Sequence, residues 1–119
     1  MRRSIPIVAG LAITMVFAAT STLWAGRTGG PIARAVYVPA GDSVYFAVPF
    51  NAGEAVVAIA GDGQTFTQVF IHDSDGHVAA GVGSMDRKIA RMTVYRPGTL
   101  RVQITNGGIR DVRVRVRTN

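Results

Sequence analysis

The sequence has no cysteine among its 119 residues, which excludes a disulfide framework and any thiolate chemistry. Its one tryptophan, Trp24, falls in the N-terminal leader, so the rest of the chain lacks the residue most used to stack against sugars. No apolar run reaches the roughly 20 residues that a membrane-spanning helix needs. The longest, Ile5 to Ala19, has 15. Acid is scarce near the C-terminus: from Arg87 to Asn119 nine basic residues meet a single acid, Asp111. The segment from Gly26 to Asp86 reverses the balance, with two basic and six acidic residues. Such asymmetry marks either a polyanion-binding surface or acidic and basic strands that neutralise each other side by side.

The chain opens Met1-Arg2-Arg3, runs through the apolar stretch and reaches Leu23-Trp24-Ala25 before a glycine-rich segment. This is the order of parts in a secretory signal peptide, and cleavage is expected after Ala25, with Ala18 and Ala19 as alternative small-residue sites. No Phe-Leu follows Arg2-Arg3, so an ordinary export signal is favoured over a twin-arginine one. The organisation that follows is a leader over residues 1–25, a flexible polar lead-in over 26–33, and one domain over 34–119. A secreted or periplasmic location is expected, with no membrane span after cleavage. The 94 residues beyond Ala25 suffice for one core that buries roughly 60% or a little more of the unfolded surface.

Beyond the lead-in, apolar runs are cut at short intervals by turn residues. Pro39-Ala40-Gly41-Asp42, Asn51-Ala52-Gly53, Gly61-Asp62-Gly63, Asp73-Ser74-Asp75-Gly76, Arg96-Pro97-Gly98 and Asn106-Gly107-Gly108 each stop a β-prone stretch. Leu100, Val102 and Ile104 alternate with Arg101, Gln103 and Thr105, and Val112, Val114 and Val116 with Arg113, Arg115 and Arg117. A period of two places one set on a core and the other in water. From Arg87 to Tyr95 both parities carry apolar residues, and the register is ambiguous. About eight short strands without a helical pattern predict an all-β fold, an antiparallel β-sandwich or jelly-roll-like arrangement.

The segments Pro39-Ala40-Gly41-Asp42-Ser43-Val44-Tyr45-Phe46, Val69-Phe70-Ile71-His72-Asp73-Ser74-Asp75-Gly76-His77-Val78 and Pro97-Gly98-Thr99-Leu100-Arg101-Val102-Gln103-Ile104 stand in the order of recurrent motifs of the bacterial pre-peptidase C-terminal domain. The chain resembles that family over roughly Val36 to Val116. The resemblance implies a jelly-roll-like sandwich of an exported protein, ordinarily an accessory module beside a peptidase and in some members calcium-binding.

Residues with chemistry are few. A regular hairpin closed by a four-residue loop would face His72 and His77 across the ladder, with Asp73 or Asp75 as a further ligand for a transition metal. The same carboxylates and turn carbonyls suit calcium, although no Glu closes a twelve-residue calcium loop. Ser43, Ser74 and Ser84 lie in no Gly-x-Ser-x-Gly elbow, and catalysis is not expected. Among the remaining aromatics, Tyr37, Tyr45, Phe46, Phe50, Phe66, Phe70 and Tyr95, most are expected in the core. If Asn106-Gly107-Gly108 pairs the last two strands as a hairpin, Arg101, Arg113, Arg115 and Arg117 form one cationic face. The function expected is a non-catalytic binding or structural module without a required cofactor. Its partner would be an anionic polysaccharide or another envelope protein rather than nucleic acid. The alternative is a calcium- or transition-metal-dependent module for carbohydrate or protein, and a hydrolase comes last.

Overall fold

A computed structural model describes residues 26–119, which form nine β-strands. The leader expected over residues 1–25 lies outside the described residues. The strands are β1 (Ala33–Val38), β2 (Ser43–Phe50), β3 (Gly53–Ala60), β4 (Thr67–His72), β5 (Val78–Ala80), β6 (Val82–Gly83), β7 (Arg87–Val94), β8 (Gly98–Asn106) and β9 (Val112–Thr118). They build two antiparallel sheets, one ordered β1-β9-β3-β7-β6 and the other β2-β8-β4-β5. Pairing runs from the ends of the chain inward: β1 with β9, β2 with β8, β3 with β7 and β4 with β5. That is jelly-roll winding, as the turn-and-strand pattern predicts. Among the described residues no helix is long and apolar enough to cross a membrane.

The core lies between the sheets and is almost wholly aliphatic. Val102, Ile104, Val112, Val114 and Val116 are buried, while Arg101, Arg113, Arg115 and Arg117 are exposed, so the period-two reading holds on both strands. Of the aromatics expected inside, only Phe50 is fully buried and Phe46 packs against the core. Tyr37, Tyr45, Phe66 and Tyr95 are exposed. In β7 the register falls in favour of Ala90, Met92 and Val94, which turns Ile89 outward and carries Lys88 inward to 6% exposure. Three apolar contacts outweigh one isoleucine, and Lys88 Nζ donates to the carbonyls of Thr67 at 2.5 Å and Met85 at 3.1 Å.

Three local expectations are corrected. The lead-in is tied to the sandwich: Arg27 N donates to Asn119 O at 2.9 Å, Asn51 N to Gly26 O at 2.7 Å and Thr28 N to Pro49 O at 2.8 Å. Gly26 is required there, because φ is 96° and a Cβ would meet the Asn119 backbone at 2.9 Å. Main-chain bonds thus replace the side-chain packing that this polar segment lacks. The stretch from Gly81 to Asp86, read as a loop, contributes the short strand β6. Asn106-Gly107-Gly108 does not close a hairpin; it carries the chain from one sheet to the other. Fully buried Asn106 stitches this crossing, since Nδ2 donates to Val38 O at 3.0 Å and Arg110 O at 2.7 Å while Oδ1 accepts from Gly108 N at 2.8 Å.

Candidate anion-binding groove

Arg113, Arg115 and Arg117 project from the outer face of the five-stranded sheet because the valines between them fill its inner face. Their neighbours on β1 are Tyr37, Ala35 and Ala33. On β3, Ala60 stands beside Arg115 and Ala58 beside Arg117. Beyond those alanines, β7 places Arg87 opposite Ala60 and Ile89 opposite Ala58, and β6 sets Val82 beside Ile89. Large side chains therefore flank a strip of methyl groups. The result is an open groove of about 760 Å³ in which Ala58 and Ala60 floor the space between Arg87 on one side and Arg115 and Arg117 on the other, while Ala33 and Ala35 line it beyond the β9 arginines. Val82 and Ile89 form an apolar end, 79% and 41% exposed.

Among the described residues no carboxylate lines this groove. Glu54, on the same outer face, lies 3.8 Å from Arg91, a solvent-exposed pair that contributes little to stability. Near the end of β3, Asp86 Oδ2 accepts from Gly63 N at 2.6 Å, and Asp62 is held by its own turn. Gln64 N, the Thr65 hydroxyl and Thr65 N all donate to Asp62, which keeps its carboxyl below the ordinary range. Glu54 is thus paired with Arg91, Asp62 and Asp86 are engaged in turn hydrogen bonds, and none of the three lines the groove beside Arg87, Arg115 and Arg117.

Arg101 does not belong to this face. It sits on β8, which pairs with β2 and β4 in the other sheet, so the sandwich core separates it from Arg113, Arg115 and Arg117. The expected four-arginine patch fails because the Asn106 crossing sends β8 and β9 to different sheets. Arg87 takes the vacant place in the cluster. Its outward parity in β7 could be read only after Lys88 was known to be buried.

The two histidines also separate. β4 and β5 pair His72 with Val78, not with His77, so the hairpin loop has five residues and His77 belongs to it. His72 Nε2 bonds Gln103 Oε1 at 2.8 Å on the outer face of the four-stranded sheet. His77 Nδ1 instead bonds Asp73 Oδ2 at 2.9 Å. Asp73, Asp75 and His77 hold their ligand atoms within 4.8 Å of one another, and His72 is outside that group. Asp73 Oδ1 already accepts from Asp75 N at 2.9 Å and His77 N at 2.8 Å. Partial desolvation of Asp73 raises its carboxyl, but the His77 backbone and side chain with Asp75 N outweigh that and hold it below the usual carboxylate range. The cluster is thereby accounted for as a hydrogen-bonded turn. A cation there would have Asp73 and Asp75 oxygens as ligands, and His77 could join them through Nε2 while Nδ1 keeps its bond to Asp73.

The sequence matches no protein-family model and no curated protein.

Proposed function

We propose that the domain is an exported, non-catalytic binding module that holds an anionic polymer, best an acidic polysaccharide of the cell envelope, in the groove over the five-stranded sheet. One observation supports this above the others: Arg115 and Arg117 face Arg87 across an alanine floor with no carboxylate in the lining. Arg115 and Arg87 are two strands apart, about 9.5 Å at the backbone, and successive β9 arginines about 6.5–7 Å. A chain of regularly spaced anionic groups can lie along such a grid, and guanidinium accepts carboxylate, sulfate or phosphate. A solely solubilising face would serve equally well with acids interspersed.

The test is binding to heparin and to duplex DNA, as reference polyanions, over a range of salt. Three engaged arginines give a log-log slope of about −3 on the duplex. Changing Arg87, Arg115 and Arg117 together to Ser is expected to remove that slope while leaving the melting curve in place. An unchanged slope in the triple variant rejects the groove.

A further inference from the structure

The opposite outer face, over the four-stranded sheet, takes no part in the groove. Its outward residues include Tyr45 from β2, Arg101, Gln103 and Thr105 from β8, and Phe70 and His72 from β4. Register places Tyr45, Gln103 and Phe70 in one row, with Ala47, Arg101, His72 and Val78 in the next. Hydrogen bonds join the strands across this surface. Ser43 Oγ and Thr105 Oγ1 are 2.9 Å apart, Gln103 Nε2 donates to Thr105 Oγ1 at 3.3 Å, and Gln103 Oε1 meets His72 Nε2 at 2.8 Å.

Because the Gln103 amide donates toward Thr105, its oxygen must accept from His72, which fixes the imidazole proton on Nε2. Arg101 is held as well, its guanidinium carbon 5.2 Å from the centre of the Tyr45 ring. Phe70 stands beside the histidine with ring centroids 6.4 Å apart. Side chains on a solvated sheet face ordinarily keep their rotamer freedom, which a long polar chain loses on binding. Here a row from three strands is ordered in advance, and preorganised donors of this kind bind with a smaller entropy loss.

We propose that this face is a second binding site, independent of the groove, that takes a carboxylate-bearing sugar unit of an oligosaccharide. Charge selects the occupant. The outward residues of β2, β8, β4 and β5 include the cation of Arg101 and no carboxylate. A stacked guanidinium presents its N–H edge to one carboxylate in bidentate fashion. Gln103, Thr105 and His72 exchange hydrogen bonds with ring hydroxyls, and Phe70 offers an apolar ring to the C–H face of the sugar. A phosphate polymer would need a row of cations, which this face lacks and the groove supplies.

The experiment titrates the full domain with trigalacturonate, and with neutral galactotriose as control, at 0.3 M salt, following backbone and side-chain NMR shifts. Saturable shifts at Tyr45, Phe70, His72 and Gln103 with trigalacturonate are expected, with weaker binding of the neutral sugar by about tenfold or more, a factor equivalent to 1.4 kcal/mol. Arg101→Ser and Gln103→Ala should each weaken trigalacturonate binding by a similar factor and leave heparin affinity unaltered, because neither residue lines the groove. Shifts confined to the five-stranded face, equal binding of the neutral sugar, or unaltered trigalacturonate affinity in both variants overturns the second site. A flat heparin response in the unsubstituted domain would count against the groove alone.

Discussion

Lys88 is a charged group held where water is scarce. Burial pushes its ammonium below the usual lysine range, the nearby Asp86 carboxylate partly offsets this, and the Phe66 ring covers it at 4.4 Å. A lysine whose proton is held less tightly in the fold than in the unfolded chain penalises the folded state while it is charged. Stability from this group therefore rises with pH between its lowered folded value and the unfolded value of about 10.4. Urea midpoints measured from pH 8 to 10.5 should climb relative to those of Lys88→Met, and parallel curves would show that burial does not bias the proton. Asp62 works in the opposite direction. Its carboxyl is lowered by turn hydrogen bonds, so its contribution is present above about pH 4 and is lost as pH falls through the folded value. Asp62→Asn should flatten the acid limb of the stability curve between pH 2 and 5.

At the level of single strands, β9 states the logic of the sandwich most plainly. A one-residue slip would bury three guanidinium groups and expose three valines, so the register is fixed by desolvation. Val114→Ala should cost about 1–3 kcal/mol in denaturant melts, whereas Arg115→Ala should stay within about 0.5 kcal/mol. The reverse ranking would exclude this register. Strand β6 depends on one residue in a different way. Gly83 has φ 155°, and a Cβ there would fall on the carbonyl oxygen of Arg87 in the neighbouring strand. Gly83→Ala is expected to cost about 1–3 kcal/mol and to detach β6. Because Val82 and Gly83 line the groove, polyanion affinity should fall with it, which a titration of that variant checks.

For the whole molecule, the two outer faces differ in kind although one core supports both. The five-stranded face carries spaced arginines over small residues and responds to charge density. Its counterpart carries one oriented guanidinium among amides, hydroxyls and rings, and responds to the shape of a single unit. Among the described residues the fully buried apolar side chains lie between Val38 and Val116, and the Gly26–Thr28 tether closes the end of the sandwich. A chain beginning at Gly26 should thus melt cooperatively. A chain beginning at Ile32 should melt lower, having lost the bonds to Asn119, Pro49 and Asn51, and equal melting points would show the tether to be dispensable.

Alternation and turn chemistry suffice to assign an all-β jelly-roll-like sandwich and to sort Val112, Val114 and Val116 from the arginines between them. Those are local properties, set by a side-chain period of two and by residues that favour turns. Which strands become neighbours is not local. Asn106-Gly107-Gly108 has the composition of a hairpin, but buried Asn106 finds its partners at Val38 and Arg110, and the chain changes sheet. That single crossing removed Arg101 from the arginine cluster. Likewise His72 and His77 bracket a plausible loop, yet pairing of His72 with Val78 moved His77 into the turn with Asp73. Arg87 entered the groove only because Ala90, Met92 and Val94 won the inward side of β7, a choice made by packing across the sheets. The sequence alone determined the strands other than β6, and the two faces of β8 and β9, because each depends on residues near in the chain. Tertiary structure decided which cations meet, because that depends on contacts between residues far apart in it.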